Sequence, residues 1–355
     1  MSDGPLVHDF ASDNHAGAHP EVIEAIVAAN AGHAGSYGAD GWTERAADAF
    51  GIHFGPDAQA FAVFNGTAAN VLAIDAVTKP HEAVICAATA HLHVDEAGAP
   101  ERFAGVKLLL VETEHGKLEP ADVGRWESGR GDQHRVQPRV VSIAQATELG
   151  TVYTVAELEA LAAAAHERGM YLHVDGARLA NAAAALDLGF GELTTRIGVD
   201  VVSFGGTKNG LLLGDAVVFP RGELADGFEF VRKQGMQLAS KMRFISAQFE
   251  ALLDGDLWLR SATHANAMAA RLAAAVSGIE GVSIEHHVEA NVVFAHLPQA
   301  AIDRLLDELP GQPPFYVWDE AGAIVRWMCS WDTSEEDVDQ FAAAVADAVA
   351  AAKVA

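Results

Sequence analysis

Short apolar runs alternate with alanine-rich stretches between residues 55 and 220, and this alternation limits the possible folds more than any other feature of the sequence. Strands are predicted at 61–64, 83–87, 107–112, 140–144, 171–174 and 201–204, and 214–220 predicts a further strand that could run antiparallel. Helical patterns separate several of these runs, notably at 68–77, 155–168 and 178–186. Near-continuous apolar strands that alternate with helices are typical of a parallel sheet covered on both faces. The sequence therefore predicts an α/β fold with a mostly parallel, seven-stranded sheet.

The pattern changes near residue 240. An alanine-rich helical region extends to about residue 276, and it is followed by predicted strands at 282–285, 292–295, 315–318 and 324–328 and helices at 302–308 and 335–352. These elements predict a smaller C-terminal α+β domain over 241–355, after a large domain over 51–240. The first fifty residues, with glycines at 32, 35, 38 and 41, are predicted to form a segment that lies across another part of the molecule.

Charge and cysteine content argue against several classes of partner. The chain has 355 residues, with 23 Lys and Arg against 49 Asp and Glu, which gives a formal charge of −26. Nucleic acids and anionic membranes bind cationic faces, so neither is expected as the main partner. Cys86 and Cys329 both lie in apolar runs, which suits reduced thiols. Because the sequence also shows no signal-peptide pattern and no run near the ~18 apolar residues of a membrane span, a cytoplasmic location is predicted.

The segment Asn65-Gly66-Thr67-Ala68-Ala69-Asn70 lies between a predicted strand and a predicted helix. Free backbone amides at a helix start, together with the positive end of the helix dipole, suit a phosphate group. Gly66 lets the backbone approach such a group closely, and the Thr67 hydroxyl can donate to the same anion. Taken alone, the segment is also compatible with a turn and an ordinary helix cap.

The segment His173-Val174-Asp175-Gly176-Ala177-Arg178 follows another predicted strand. Ligands bind at the carboxyl ends of the strands in open parallel sheets. Asp175 could hold a cationic ring nitrogen there through a charge-assisted hydrogen bond, and Arg178 could bind a carboxylate or a cofactor. The alternative is an aspartate cap with the arginine as its ion-pair partner.

Lys208 has the most unusual surroundings of the seven lysines. It lies between the apolar strand 201–204 and the run Leu211-Leu212-Leu213, and glycines flank it on both sides. Partial burial lowers the pKa of a lysine amine and so frees it for nucleophilic attack, for example on an aldehyde. A solvated loop lysine is the alternative interpretation.

The three segments are expected at the same edge of one sheet. A phosphate cradle, an acid for a pyridinium nitrogen and an imine-forming lysine are what pyridoxal 5′-phosphate requires. With these motifs the sequence resembles the pyridoxal-phosphate enzymes of the aspartate aminotransferase fold (fold type I), and among them the threonine aldolase family, close to the low-specificity L-threonine and phenylserine aldolases. The resemblance covers nearly the whole chain and includes Ser12-Asp13-Asn14, His19-Pro20, Ser36-Tyr37-Gly38, Ala90-His91, Glu96-Ala97-Gly98 and Gly206-Thr207-Lys208.

The resemblance implies a role for each matching residue. The implied cofactor-binding residues are Lys208 at the aldehyde, Asp175 at the ring nitrogen, Gly66 and Thr67 at the phosphate, His91 stacked on the ring, and Arg178. The implied substrate-binding residues are Ser12, Tyr37, Arg178 and Arg326. A planar guanidinium matches a carboxylate bidentately, which suits arginine to this task better than lysine.

One segment departs from the family pattern. Many threonine aldolases carry a histidine in the strand-end motif that spans 145–151 here, and this chain offers Thr147 or Glu148 in its place. A carboxylate instead of an imidazole would change which group removes the proton of the substrate hydroxyl. The candidate catalytic residues are therefore Lys208, His91 and Glu148.

The resemblance implies a carbon–carbon lyase that cleaves β-hydroxy-α-amino acids, such as L-threonine, L-allo-threonine or phenylserine, to glycine and an aldehyde. Two alternatives stay open. One is a β-eliminating lyase or an aminotransferase with the same cofactor, and the other is a non-catalytic small-molecule-binding protein with a degenerate site. Alternate histidines at 91 and 93 can bind a metal, but no third ligand stands at a suitable spacing, so no metal is predicted.

Related enzymes build their sites at subunit interfaces, so a homodimer or homotetramer is expected, with residues 1–50 contributing to the site and the interface. A local positive patch is formed by Arg232, Lys233, Lys241 and Arg243. This patch could reach the cofactor phosphate of a neighbouring subunit. The alternative is a solvated helix face with local ion pairs.

Overall fold

A computed structural model of the chain describes residues 8–308 and 314–353. The strands of its large sheet are β1 (Gln59–Val63), β2 (Glu82–Ala87), β3 (Lys107–Val111), β4 (Gln137–Ala144), β5 (Tyr171–Gly176), β6 (Val201–Gly205) and β7 (Asp215–Phe219). Their order is β1-β7-β6-β5-β4-β2-β3. Strand β7 is antiparallel to both of its neighbours, and all other pairs are parallel. The predicted mostly parallel seven-stranded sheet is confirmed.

Helices surround this sheet and also form part of the smaller C-terminal domain. They are α1 (Pro20–Ala29), α2 (Gly41–Phe54), α3 (Gly66–Val77), α4 (His91–Val94), α5 (Pro120–Val123), α6 (Val155–His166), α7 (Leu179–Leu186), α8 (Phe190–Leu193), α9 (Phe228–Gln234), α10 (Arg243–Leu253), α11 (Leu257–Val276), α12 (Gln299–Glu308) and α13 (Glu335–Ala352). Within the described residues, no helix has the length and apolar character needed to cross a membrane.

Both faces of the large sheet are buried. Successive residues of a strand point to opposite faces, and in β6 Val202 joins one apolar cluster whereas Val201 joins another. The same division separates Ile85 from Val84 in β2. This burial on both faces explains why the strands read as continuous apolar runs rather than as alternating patterns.

A smaller antiparallel sheet forms the core of the C-terminal region. Its strands are β8 (Ser283–Ile284), β9 (Val292–His296), β10 (Tyr316–Asp319) and β11 (Ile324–Met328), in the order β10-β11-β9-β8. The fully buried Trp327 of β11 and Phe341 of α13 belong to its apolar cluster. The predicted α+β fold of the smaller C-terminal domain is confirmed.

The N-terminal segment is attached to this smaller sheet. Phe10 stacks on Phe341 with ring centroids 4.5 Å apart, and its carbonyl accepts a hydrogen bond of 2.8 Å from the amide of Met328. Residues 8–14 therefore run from the small domain towards the large one. The same segment continues into α1 and α2, which the sequence pattern did not reveal.

The predicted helical region after residue 240 consists of two helices. Gly255 separates α10 from α11 with a φ of +123°, a value that L side chains rarely adopt. Phe249 of α10 packs against Phe50 of α2 with centroids 5.3 Å apart, inside the apolar cluster of the large sheet. The domain boundary between residues 240 and 241 stays a prediction, and this packing connects α10 to the large domain.

Candidate active site

The start of α3 forms one wall of a cavity of about 270 Å³. Asn65 caps the helix, and its Oδ1 accepts a hydrogen bond of 2.9 Å from the amide of Ala68. The first amides of a helix have no partner within it, and Gly66 and Thr67 supply those amides at the cavity wall. This arrangement offers the backbone donors that a phosphate group needs.

Five of the ten predicted site residues line this cavity. Its lining consists of Asn14, Asn65, Gly66, Thr67, Ala69, Asn70, His91, Asp175, Ala177, Ser203, Phe204, Gly205, Thr207, Lys208 and Asp215. The phosphate segment, the strand-end aspartate and the lysine thus come from three separate regions of the sequence and meet at one place. Their meeting follows from the topology, because β5 and β6 are parallel neighbours and end at the same edge.

Asp175 is held rigidly at the end of β5. One carboxylate oxygen accepts a hydrogen bond of 3.0 Å from the amide of Ala177, and the other accepts one of 2.8 Å from the side-chain amide of Asn70. Only 6% of the residue is exposed. A fixed, nearly dry carboxylate in a cavity wall is suited to hold a cationic ring nitrogen.

Asn70 also connects Asp175 to His91. Its Nδ2 donates to Glu96 Oε1 at 2.8 Å, and the same oxygen lies 2.9 Å from Nδ1 of His91. The hydrogen bond to Glu96 is the main cause that raises the pKa of His91, whereas burial raises the pKa of Glu96 itself. Because Nδ1 is engaged, the second ring nitrogen of His91 is the one left for the cavity.

Lys208 lies in a short 3-10 turn, Thr207–Asn209, directly after β6. The turn packs tightly. A Cβ atom on Gly205 would lie 2.5 Å from the carbonyl oxygen of Ala177, and one on Gly206 would lie 2.7 Å from that of Gly214. Larger residues at either position would displace the backbone that carries the lysine.

Arg178 and Asp13 form an ion pair beside the cavity. The Nε of Arg178 donates to Asp13 Oδ2 at 2.7 Å, and Nη2 donates to Oδ1 at 3.0 Å. Burial alone would raise the pKa of Asp13, but the charges of Arg178 and Lys208, together with hydrogen bonds from Arg178 and Asn291, outweigh it and hold that pKa below its ordinary value. Ser12 is half-buried next to this pair, and its Oγ accepts a hydrogen bond of 3.2 Å from the amide of Asn14.

Arg326 of β11 has unused hydrogen-bond donors. One terminal nitrogen donates to the carbonyl of Ala11 at 3.2 Å, and the guanidinium lies 5.5 Å from the ring centre of Tyr316 and 5.6 Å from that of Trp318. Its Nε is buried without a partner. Burial is the main cause that lowers the pKa of Arg326, and the positive charge of Arg178 is the next. A half-buried cation with a free donor is suited to bind an anionic ligand.

Glu148 does not line the main cavity. It lines a small neighbouring one together with Thr89, Ala90 and Ser142. The charge of Glu148 nevertheless acts on His91, Arg178 and Arg326. Glu148 is therefore placed to influence the site from the side of the two arginines.

Tyr37 is not part of the lining of the main cavity. It is 53% exposed, its amide donates to the carbonyl of Ser240 at 3.0 Å, and Lys233 Nζ lies 5.3 Å from its ring centre. A nearby surface cavity is lined by residues 32–36 with Ser240, Lys241 and Arg243. The predicted positive patch and Tyr37 thus share one surface, and a role for either in a site stays a prediction.

Some polar residues of the site were not predicted as functional. Asn70 and Asp215 line the cavity, and Glu96 and Asp13 were noted only as parts of motifs. The sequence could have indicated Asp215, because an aspartate that opens an otherwise apolar strand must have a buried partner. Within the described residues, no three His, Cys, Asp or Glu side chains are grouped to hold a metal ion.

Comparison with known proteins agrees with this geometry. The chain matches the family described as "Beta-eliminating lyase" over residues 9–300. It is 48% identical to a low specificity L-threonine aldolase of Pseudomonas aeruginosa, and the match covers 94% of this chain and 95% of that protein.

Solved structures give the same result. The structure of a threonine aldolase from Leishmania major has 30% identity and a TM-score of 0.89, and the match covers 96% of this chain and 99% of that chain. An aspartate aminotransferase from Thermus thermophilus, at 19% identity and a TM-score of 0.68 over 96% of this chain and 92% of its own, shares the fold. The chain belongs to the beta-eliminating lyase family and, within it, to the low-specificity L-threonine aldolases.

Proposed function

We propose that this protein is a pyridoxal-phosphate-dependent carbon–carbon lyase that cleaves β-hydroxy-α-amino acids of the threonine type to glycine and an aldehyde. One observation carries the proposal. The amine of Lys208, the carboxylate of Asp175 and the start of α3 border one cavity, in a chain 48% identical to a low specificity L-threonine aldolase.

The residues of the cavity fit the cofactor. Gly66 and Thr67 would hold its phosphate, because the start of α3 offers unpaired amides and no side chain at Gly66. Asp175 would hold the ring nitrogen, Lys208 would bind the aldehyde, and His91 would lie against the ring. When bound, the cofactor supplies an electron sink for the carbanion that bond cleavage leaves on the substrate.

Arg326 would bind the substrate carboxylate with its free Nε. This group comes from the small domain, whereas Lys208 and Asp175 come from the large one, so the substrate would be held between them. Ser12 and Arg178 would complete the carboxylate site, and Asp13 fixes the direction of Arg178. Holding the carboxylate sets the orientation of the bond that breaks, an effect that can lower a barrier by several kcal/mol.

His91 would remove the proton of the substrate hydroxyl. Glu96 engages Nδ1 at 2.9 Å, which leaves Nε2 as the base and gives the ring a fixed orientation. Loss of that proton lets the Cα–Cβ bond break and releases the aldehyde, and a proton then returns to Cα to give glycine. Glu148 is the other candidate for the base, through a water molecule or directly.

Product analysis tests the reaction type. Purified enzyme with pyridoxal phosphate and L-threonine should give equal amounts of glycine and acetaldehyde, and phenylserine should give glycine and benzaldehyde. A 2-keto acid with ammonia would indicate β-elimination, and a keto-acid-dependent transfer of the amino group would indicate an aminotransferase. Absence of any product from a protein that binds the cofactor would favour a binding protein.

The protein is further proposed to act as a homodimer or homotetramer. Exposed apolar side chains lie near the cavity mouth, since Phe64 precedes the phosphate segment and its amide donates to Gln237, next to the 80% exposed Met236. Packing of such residues against a second copy would bring the positive patch and Tyr37 close to a neighbouring cavity. Sedimentation velocity of the wild type beside Met236→Glu checks this, because the charge should weaken the assembly.

A cytoplasmic location is proposed as well. Cys86 and Cys329 are both buried and free, and burial raises the pKa of each thiol. Neither is therefore reactive, which is compatible with a reducing compartment. Cell fractionation of the source organism tests this location.

A further inference from the structure

A buried carboxylate lies beside the proposed phosphate site. Asp215 opens β7, is 6% exposed, and pairs with Val63 of β1 and Gly205 of β6. Its Oδ1 accepts hydrogen bonds from the amides of Gly206 at 2.8 Å and Thr207 at 3.4 Å. Its Oδ2 faces α3, since a Cβ atom built on Gly66 would lie 3.7 Å from it.

The charges around Asp215 do not favour a phosphate dianion next to an ionised Asp215 carboxylate. Among the described residues that line the cavity, Lys208 is the only Lys or Arg, Asp175 is another carboxylate, and His91 is the remaining titratable side chain. The first turn of α3 is uncharged. The nearest side chains of α10 to the preceding Gly214 are the apolar Ile245 and Phe249. Within one chain, a phosphate dianion at the start of α3 would therefore share one lysine with two carboxylates, and a further cation would have to come from the positive patch of a second copy.

We propose that Asp215 binds the cofactor phosphate in its protonated form, taking up one proton from solvent on Oδ2 and donating it as a hydrogen bond to a phosphate oxygen. The proton belongs on Oδ2 because Oδ1 already accepts from two amides. Burial raises the pKa of Asp215 to about 6 even without an anion next to it. A phosphate at hydrogen-bond distance raises that pKa further, since a like charge disfavours the ionised form. One proton thus enters with the cofactor, and no covalent bond changes.

The inference rests on the proposed function, because it takes the cofactor phosphate as the anion. Pyridoxine 5′-phosphate is a probe that tests the inference separately from the proposed function. It carries the ring and the phosphate but no aldehyde, so its binding does not include the reaction with Lys208. The full-length protein, freed of cofactor with hydroxylamine and dialysed, is titrated with this probe by calorimetry at pH 8. Measurements in HEPES and in Tris, which differ in ionisation enthalpy, give the number of protons taken up.

On binding the probe, wild-type protein should take up close to one proton. Asp215→Asn should take up about one proton fewer than wild type. The amide of asparagine donates without a proton from solvent. Asp215→Asn should therefore bind the probe about 300-fold more tightly than wild type at pH 8.5 and with similar affinity at pH 5.5, because pH 8.5 lies about 2.5 units above the pKa of about 6 and each unit corresponds to tenfold. Asp75→Asn, a half-buried carboxyl of α3 outside the cavity lining, is the matched control and should behave like wild type.

Absence of proton uptake by the wild type overturns the inference and does not depend on the variant folding. Equal proton uptake and equal pH dependence in wild type and Asp215→Asn overturn it too. If pyridoxal phosphate binds at Lys208 in these cases, the proposed function stands. Failure of both pyridoxal phosphate and the probe to bind overturns the proposed function as well.

Discussion

Arg178 and Asp13 are joined by two hydrogen bonds of 2.7 and 3.0 Å, and the side-chain amide of Asn291 donates a third to the same carboxylate at 3.1 Å. The three residues come from the start of α7, the N-terminal segment and the segment before β9. This contact therefore connects the large domain, the small domain and the N terminus beside the proposed substrate site.

Removal of the Asp13 carboxylate should destabilise the protein strongly. In Asp13→Ala the buried guanidinium of Arg178 loses its partner, and such losses cost about 3–5 kcal/mol of unfolding free energy. Urea denaturation measures this cost. Asp9→Ala removes the half-exposed partner of His15 and should cost less than about 1 kcal/mol. Equal effects of the two substitutions would contradict the assignment of Asp13 as the link between domains.

The contribution of Asp13 should also depend on pH. Its pKa is lowered in the folded protein, so the ionised carboxylate stabilises the fold above the ordinary pKa of about 4. This stability is lost as the pH falls through the lower, folded value. The difference between wild type and Asp13→Asn should therefore shrink in acid, which denaturation at pH 7, 4 and 3 can follow.

Arg326 should matter for substrate affinity as well as for the chemical step, because the carboxylate that it holds sets the orientation of the bond that breaks. Hydrogen bonds to charged groups contribute about 1.5–3 kcal/mol, so Arg326→Gln should raise KM for L-threonine about 10- to 100-fold. Arg326→Lys should restore only part of the affinity, because lysine cannot bind a carboxylate bidentately. Arg271→Gln, which breaks surface ion pairs of α11, serves as the control. Wild-type KM in Arg326→Lys would contradict the bidentate role.

The sequence predicted the large sheet well, because strands buried on both faces leave apolar runs that turns and helices separate clearly. The predicted meeting of Gly66, Thr67, Asp175 and Lys208 in one cavity has the same origin, since each stands at the end of such a run, and their roles stay predictions. The helices α1 and α2 were missed because the glycines among their patterns indicated only a segment that lies across another part of the molecule. The pairing of Arg178 with Asp13 was not foreseen, since it joins residues 165 positions apart and only the fold brings them together.

The pH profile of kcat/KM should report on the contact between His91 and Glu96. A general base must be neutral, so activity should fall in acid as His91 takes up a proton. The hydrogen bond that His91 donates to Glu96 raises the pKa of His91 and shifts this acid limb to higher pH. In Glu96→Gln the limb should therefore move to lower pH. His93→Gln, an exposed residue of the same helix, should leave it in place. An unchanged limb in Glu96→Gln would show that His91 is not the base.

Glu148 should influence the rate without setting the acid limb. Its charge acts on His91 and on both arginines, and it lies outside the main cavity lining. Glu148→Gln should lower kcat/KM for L-threonine by about tenfold, which is less than the 10²–10⁴-fold typical for a lost general base. The acid limb should remain but move to lower pH, because the charge of Glu148 also raises the pKa of His91. Disappearance of the acid limb in this variant would instead identify Glu148 as the base.

Covalent labelling of Lys208 tests the central claim most directly. The protein is incubated with pyridoxal phosphate, reduced with sodium borohydride and digested, and the peptides are mapped by mass spectrometry. The phosphopyridoxyl group should be found on Lys208 alone, and Lys208→Ala should yield no labelled peptide at this position and lose the yellow absorbance. A label on another lysine, or no label on a folded protein saturated with the cofactor, would contradict the proposed function.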